Sequence, residues 1–289
     1  MIKRALLIAD LEGVAGVDST LALAYGGPGH EQAREWLTEE VNACVEGLLR
    51  AGFDRVRVSD SHLSGSDGTS LVEAKLNSAV ELRLSSPDLY GGALLDQVTG
   101  VACVGMHAAA QTHGFAAHTI LPHLALSWAG KPVSETDVAF FLAGERGVPA
   151  LYTAGDDVLA ASTTLPCVVT KQSVSPSQAT SSPRAEVLDR LRRAAGSPPV
   201  YVEVPRVKEL LVRFKRAAWC DAAEKLGGKR VSKVELAVAG DGFTQAYEEM
   251  LRIVEAAGGV LADEVKATPG TAEFAAEAEK LLLEPFDAP

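Results

Sequence analysis

The sequence predicts an α/β protein that has a mostly parallel sheet with flanking helices and a second, smaller α+β domain. The first observation is that short apolar runs alternate with segments of helical periodicity, a pattern typical of parallel sheets covered by helices. The second is length, because 289 residues with 47% hydrophobic content can bury one large core or two smaller ones. The third is a change of pattern after about residue 165, which predicts domains at residues 1–165 and 166–289.

The first of these domains is predicted to have a Rossmann-like core. Short apolar runs predict four strands, at residues 5–9, 55–58, 101–106 and 148–154. A helical stripe over residues 31–51, ended by Gly52, supplies the crossover between the first two strands. A hairpin is predicted over residues 124–133, and the segment from Ser134 to Asp137 resembles a capping box that opens a helix.

The second domain has a different composition. A Ser/Pro-rich stretch covers residues 173–183 and is predicted to lack the regular pattern of the first half. The predicted elements are an amphipathic run at 186–195, strands at 200–204 and 234–239, a helix at 244–257 and a surface helix in the tail at 262–289.

Charge and composition exclude several classes of partner. The formal net charge is -11 and the sequence pI is about 5.1, so phosphate backbones and anionic lipid surfaces would be repelled, and we expect neither nucleic acid nor membrane as a partner. The sequence contains no long apolar run and no signal-peptide pattern, which predicts a cytoplasmic location. The four cysteines are far apart in the sequence and are expected to be buried thiols.

Side chains that commonly bind metals follow three of the predicted strands. Asp10 and Glu12 come after the first strand, His62 after the second and His107 after the third. Ligands of open parallel sheets bind beyond the carboxyl ends of the strands, so these side chains are expected at one edge. Carboxylates and imidazoles suit a divalent cation, and Asp10 could bridge two of them. Each residue alone has a structural alternative, as a turn cap, a surface histidine or a core histidine.

Several motifs, in this order along the chain, resemble the DppA-type D-aminopeptidases, which are zinc peptidases of family M55. The family signature Ser-x-Asp-x-Glu-Gly is matched from Ile8 to Gly13, with Ile8 in place of the serine. The other matching segments lie at residues 38–42, 60–62, 105–108, 118, 130–135 and 154–157. The resemblance is dense from residue 5 to about residue 175 and thinner to about residue 257.

This resemblance implies two Zn²⁺ ions with a bridging water as the nucleophile. One ion would bind Asp10, Glu12 and His62. The second would share Asp10 and would also bind His107 and Glu135. Without the resemblance, Glu135 has the ordinary interpretation of an acid in the first turn of a helix.

Other residues take roles from the same resemblance. His118 would be an additional essential histidine that transfers protons. Ile8 removes any outer hydrogen bond that the signature serine would make. Lys171 also matches a family position, and its role is open. The remaining histidines, His30, His113 and His123, are expected in caps, at the surface or in loops.

The implied activity is hydrolysis of the amino-terminal amide bond of short peptides or aminoacyl amides, with a preference for D-residues that comes from the family alone. The implied assembly is a ring-like homo-oligomer, a decamer in the family. Asp156 or Asp157 could hold the substrate ammonium group, although both also suit a turn at a strand end.

Two alternatives stay open. A two-metal phosphoesterase would use similar ligands, although it usually needs Arg or Lys to neutralise phosphate. A non-catalytic metal-binding protein could have the same fold, since a fold does not establish an activity.

Overall fold

The computed structural model describes residues 2–83, 90–262 and 267–288, and it describes the side chains of this range except those of residues 256–262. The larger sheet contains β1 (Arg4–Ala9), β2 (Arg55–Asp60), β3 (Val80–Arg83), β4 (Val98–Val104), β7 (Ala150–Asp156), β8 (Cys167–Ser175) and β9 (Gln178–Ser181). These seven strands lie in the order β3-β2-β1-β4-β7-β8-β9. All neighbours pair in parallel except β8 and β9, which form an antiparallel edge. The predicted α/β class with a mostly parallel sheet is confirmed.

A second sheet is antiparallel throughout. Its strands are β5 (Leu124–Trp128), β6 (Lys131–Val133), β10 (Glu209–Phe214), β11 (Lys229–Ser232) and β12 (Glu235–Ala239), in the order β11-β12-β10-β5-β6. The predicted hairpin thus joins this sheet, while β8 and β9 join the larger one. The domain boundary at residue 165 stays a prediction, because sheets define packing layers rather than units that fold independently.

Seven α-helices surround the sheets in the described part of the chain. They are α1 (His30–Arg50), α2 (Glu135–Glu145), α3 (Asp157–Ser162), α4 (Arg184–Ala194), α5 (Ala217–Glu224), α6 (Phe243–Ala262) and α7 (Ala272–Leu283). The described helices include none that is both long enough and apolar enough to span a bilayer.

The large sheet separates two hydrophobic cores because the side chains of its strands alternate between its faces. In β1, Leu6 and Ile8 belong to the core shared with α2, α6 and the second sheet, whereas Leu7 belongs to the core under α1 and α4. The apolar stripe predicted for the helix at 31–51 packs into this second core. Ile8 is fully buried among apolar side chains, so packing contacts occupy the position where the family signature has serine.

Some predicted elements differ from the structure. The predicted strand at 200–204 is wrong: Val200 makes one isolated bridge to Ala150, and residues 201–207 have no regular structure. Pro198, Pro199 and Pro205 surround this run, and proline lacks the N–H that a sheet ladder requires.

Several strands were missed by the sequence interpretation. Part of the Ser/Pro-rich stretch forms the hairpin β8–β9, whose exposed polar residues hide the apolar signal of a strand. The short strand β3 has no fully buried residue, and β10 carries polar residues on its partly exposed face. The strand β3 pairs with β2, and β10 pairs with β5 and β12, so pairing with other segments stabilises strands that lack a local apolar pattern.

Candidate metal centre

The side chains predicted to bind metal follow three adjacent strands and lie at one edge of the sheet. Asp10 and Glu12 follow β1, His62 follows β2 and His107 follows β4, and these strands lie side by side. The backbone continues the pairing, since the Asp10 N–H donates to the Val104 carbonyl at 2.9 Å. The convergence expected for parallel strands is therefore present.

Two glycines allow the loops after β1 and β4 to touch. The Gly13 N–H donates to the Gly105 carbonyl at 2.7 Å. A Cβ on Gly13 would lie 1.9 Å from the Met106 oxygen, and a Cβ on Gly105 would lie 1.9 Å from the Asp10 oxygen. Gly105 also has φ of 71°, a conformation that favours glycine. Larger residues at either position would separate Asp10 from His107.

Glu135 reaches the cluster from the opposite side. It is the first residue of α2, which begins with a full capping box between Ser134 and Asp137, as predicted. Its Oε1 atom accepts a hydrogen bond from the Ile120 N–H at 2.6 Å, and its Oε2 atom accepts one from the Tyr90 hydroxyl at 2.5 Å. The sequence interpretation missed Tyr90, because nothing in its local context distinguishes it from a core tyrosine.

The six side chains form overlapping groups around Asp10. On one side the His62 Nδ1 atom lies 3.4 Å from Asp10 Oδ1 and 3.0 Å from Glu12 Oε2. On the other side the His107 Nε2 atom lies 3.7 Å from Asp10 Oδ2 and 3.5 Å from Glu135 Oε1. Within each of these two groups the candidate ligand atoms lie within 4.8 Å of one another. Asp10 is the residue that the two groups share.

The histidine rings are oriented by backbone carbonyls outside the cluster. His62 Nε2 lies 2.8 Å from the Leu23 oxygen, His107 Nδ1 lies 3.0 Å from the Ala108 oxygen, and His118 Nδ1 lies 2.8 Å from the Ala116 oxygen. An N–H on each of these atoms donates outwards, so the other ring nitrogen faces the carboxylates and can bind a cation through its lone pair once it carries no proton. Metal-binding histidines commonly have this arrangement.

Burial and mutual repulsion shape the charges of the cluster. Burial and the neighbouring carboxylates of Glu12 and Glu135 raise the pKa of Asp10 well above its usual range. Burial alone would lower the pKa of His107, but the surrounding carboxylates, Glu135 foremost, outweigh it and raise that pKa to about 10. Burial alone would raise the pKa of Glu135, but His107 and His118 hold it at about 2. The buried carboxylates of Asp10, Glu12 and Glu135 therefore favour a proton or a cation between them.

His118 lies beside the two groups and contacts both. Its Nε2 atom is 4.0 Å from Glu12 Oε1 and 3.7 Å from Glu135 Oε1. Burial and the adjacent His107 lower the pKa of His118. Glu12, His107 and His118 also make a third possible ligand group, so the geometry suits either a ligand or a proton-transfer role.

The donor set fits divalent cations. The His107 Nε2 atom is buried without a hydrogen-bond partner in the described structure, and the Glu12 Oε2 atom is buried with the His62 Nδ1 atom 3.0 Å away. Buried polar atoms of this kind are costly unless they are satisfied, and a cation between carboxylate oxygens and imidazole nitrogens would satisfy both.

Lys171 supports the loop that carries Glu12. Its buried ammonium group donates to the Glu12 carbonyl at 2.6 Å and also to the Val17 carbonyl, and it lies 4.7 Å from the centre of the Phe115 ring. Burial lowers the pKa of Lys171 to about 8. Lys171 therefore holds the backbone of the loop rather than a ligand side chain.

Other candidates from the sequence have structural roles. Asp156 is buried, and its oxygens accept hydrogen bonds from the Leu159 and Ala108 N–H groups, so it caps α3 as the alternative interpretation expected. Asp157 accepts a hydrogen bond from the Ser173 N–H. Neither aspartate lines the pocket described below.

The other histidines lie outside the cluster. His30 and His123 are buried rather than at the surface, and His123 packs edge-on against Trp219 with ring centres 5.1 Å apart. His113 is exposed.

The cluster lines one side of a pocket of about 420 Å³. The other described walls are the segments at residues 23–25, 61–65 and 120–122 and part of α7. These walls are largely apolar, with hydroxyl groups from Thr20, Ser61 and Ser64. A pocket of this size accepts a small molecule or a few residues of a peptide.

The fold and the cluster together define an α/β protein with a buried site of the kind that binds divalent cations. The chain belongs to peptidase family M55, the D-aminopeptidase family, whose model matches residues 4–252. The family resemblance in the sequence motifs is therefore confirmed.

A curated protein and a solved structure, both from Bacillus subtilis, are similar to this chain. A D-aminopeptidase of strain 168 is 32% identical over an alignment of 153 residues, and the match covers 51% of this chain and 54% of the relative. The chain therefore matches about half the length of this curated relative. The solved structure of the Zn-dependent D-aminopeptidase DppA, a self-compartmentalizing protease, has 23% identity and a TM-score of 0.77, over 88% of this chain and 97% of that chain. This second likeness shows the fold.

Proposed function

We propose that the protein is a metal-dependent aminopeptidase that hydrolyses the amino-terminal amide bond of short peptides or aminoacyl amides. The observation that carries the proposal is the pair of buried ligand groups that share Asp10 at the side of a pocket, in a chain of family M55. The preference for D-residues is proposed from the family and from the similarity to a D-aminopeptidase in sequence and in structure.

The proposed metal is zinc, two ions per chain, because the similar structure is that of a Zn-dependent enzyme and the ligand set here has two groups. One ion would be held by Asp10, Glu12 and His62, and the other by Asp10, His107 and Glu135. When bound, zinc lowers the pKa of water and polarises the substrate carbonyl.

The protein's own residues orient the groups that react. The Ala116 carbonyl holds the His118 ring with Nε2 towards the pocket, where it can receive a proton and pass it to the leaving amine. The Tyr90 hydroxyl and the Ile120 N–H hold the Glu135 carboxylate in place. Burial of the cluster strengthens these interactions by excluding water.

The pocket favours a peptide over a phosphate ester. Its described lining includes no Lys or Arg, and the buried ammonium group of Lys171 is engaged with backbone carbonyls instead. A phosphoesterase commonly supplies such cations to its substrate. The non-catalytic alternative makes a separate prediction, namely bound metal without hydrolysis.

Assembly and location are further parts of the proposal. The similar structure is that of a self-compartmentalizing protease, and we propose a homo-oligomer for this chain, a decamer by the family resemblance. A ring that encloses the sites would restrict substrates to short or unfolded peptides. The cytoplasmic location stays a prediction from the sequence.

The decisive experiment is a panel of D- and L-aminoacyl amides assayed with zinc, with a chelator and with zinc restored. We expect hydrolysis that the chelator abolishes and zinc restores, faster for D-residues. A zinc-loaded protein that ignores every amide yet cleaves a phosphate ester would contradict the proposal. Metal retention with no hydrolysis of any amide or ester would favour the non-catalytic alternative.

A further inference from the structure

The helix α7 forms a wall of the pocket although it lies beyond the residues that the family model matches, which end at 252. Phe274, Ala278 and Leu282 of α7 line the pocket. These residues are spaced four apart, so they lie along one face of the helix. The family model therefore does not cover the residues that form this wall of the pocket.

Contacts at both ends hold α7 in place. At its start, the Thr271 side chain accepts a hydrogen bond from the Phe274 N–H at 3.2 Å. Just before the helix, a Cβ on Gly26 would lie 2.3 Å from the Gly270 backbone, so the tail packs closely on the loop after Tyr25. The helix start is thus seated on a loop that itself lines the pocket.

The end of α7 is anchored by the two residues that directly follow β10. The Lys215 ammonium group donates to the Leu281 and Leu282 carbonyls at 2.7 and 2.8 Å. Arg216 makes two hydrogen bonds to the Glu284 carboxylate, at 2.8 and 2.7 Å. These contacts satisfy carbonyls that the helix end would otherwise leave open. The helix is therefore a fixed wall of the pocket.

Glu279 places a carboxylate on this wall. It lines the pocket, and its Oε1 atom accepts a hydrogen bond from the Thr20 hydroxyl. Thr20 begins the short 3-10 turn Thr20–Ala22, and the next residue, Leu23, provides the carbonyl that orients His62. One turn thus holds both Glu279 and a proposed metal ligand.

Glu279 differs from the other acids of the pocket because it lies outside the proposed metal-binding groups. Among the described lining residues it is the one acid outside the Asp10, Glu12 and Glu135 group, and none is Lys or Arg. The proposed ions would engage the carboxylates of the group, whereas Glu279 has lone pairs beyond the one used by Thr20. It is therefore suited to a cationic part of the substrate.

We propose that Glu279 binds the α-ammonium group of the substrate and that α7 thereby limits the enzyme to peptides with a free amino terminus. This inference rests on the proposed function and names the group that would recognise the substrate's amino end. The partly exposed position of Glu279 leaves it reachable by a ligand that enters the pocket.

Kinetics of Glu279→Gln test the inference, with Glu273→Gln as the matched control because Glu273 is exposed on the same helix and does not line the pocket. The glutamine keeps the shape but loses the charge, so we expect KM for aminoacyl amides to rise about 10-fold or more, with kcat within about twofold and zinc content unchanged. Glu279→Asp should recover part of the loss, and the control should match the wild type.

Binding provides a readout that does not depend on turnover. Calorimetry on the zinc-loaded protein would compare phenylalaninol, which has a free amine and no scissile amide, with its N-acetyl derivative, for both enantiomers. We expect Glu279→Gln to reduce the preference for the free amine by about 10-fold. An unchanged preference would overturn the inference even if the enzyme cleaves aminoacyl amides. Glu279-dependent binding without any turnover would support the inference and overturn the proposed function.

Discussion

The imidazole rings of His107 and His118 stack with their centres 4.3 Å apart and their planes 12° from parallel. Each ring donates outwards to a backbone carbonyl, so both Nε2 atoms face the carboxylate of Glu135. Two stacked rings this close cannot both carry a full charge cheaply, and the presence of His107 contributes to the lowered pKa of His118. A neutral His118 can accept a proton.

His118→Ala tests the proton-transfer role. We expect the variant to keep both metals and to lose a factor of about 10² to 10⁴ in kcat, the usual scale for a general acid or base. Metal analysis beside kinetics separates the roles, because loss of metal together with activity would make His118 a ligand. His113→Ala is the control, since His113 is exposed and lies outside the cluster.

Asp10→Ala tests the shared ligand. Because Asp10 belongs to both proposed ligand groups, its removal should lower the bound metal from two ions towards none, whereas His62→Ala should lose mainly one. Elemental analysis of the purified variants measures both. A full complement of metal in Asp10→Ala would show that the bridging assignment is wrong.

Lys171→Met tests the support of the ligand loop. The change leaves the Glu12 and Val17 carbonyls without their buried donor, so the loop should shift and zinc affinity should fall by about 10-fold to 100-fold. Competition with a chelator measures the affinity. Lys131→Met, at the exposed start of β6, should leave this affinity unchanged.

The buried carboxyl group of Glu40 should make the unfolding free energy depend on pH. Its side chain is fully buried in α1, and burial raises its pKa from 4.5 to about 7 despite the nearby Arg184. A carboxyl with a raised folded-state pKa contributes stability that is complete below pH 4.5 and is lost as pH rises through about 7. The full shift corresponds to about 3 kcal/mol.

Glu40→Gln should therefore flatten the pH dependence of the unfolding free energy between pH 4.5 and about pH 7 and make the variant relatively more stable above pH 7. Urea unfolding at several pH values measures this. The exposed neighbour Glu39, which also contacts Arg184, offers the control Glu39→Gln. Parallel pH curves for Glu40→Gln and wild type would contradict the prediction.

The proposed homo-oligomer can be tested by measuring the mass of the protein in solution. Light scattering of the purified chain at working concentration should give a mass many times the 30.3 kDa of one chain, near ten chains for a decamer. A monomer mass would contradict the proposed compartment without affecting the metal assignments.

Local sequence patterns predicted the features that depend on residues close together in the sequence. The helical stripe of α1, the capping box at Ser134 and the strand ends that carry Asp10, His62 and His107 are all readable in sequence. The shared edge follows from them because parallel strands connected by helices end on the same side of a sheet. Glu135 came from the family resemblance, since a first-turn acid alone has an ordinary interpretation.

The sequence by itself determined the fold class, the family and the residue types at the sheet edge, because periodicity, caps and motifs are local properties. Only the tertiary structure decided which carbonyls orient the histidines and that Tyr90 holds Glu135. It also decided that Lys171 donates to backbone carbonyls and that α7 brings Glu279 to the pocket. Apart from the local contacts of His107 with Ala108 and of His118 with Ala116, these contacts join residues far apart in the chain. They depend on how the packed elements meet, whereas the hairpin strands β8 and β9 were missed because their exposed polar residues hide the signal of a strand.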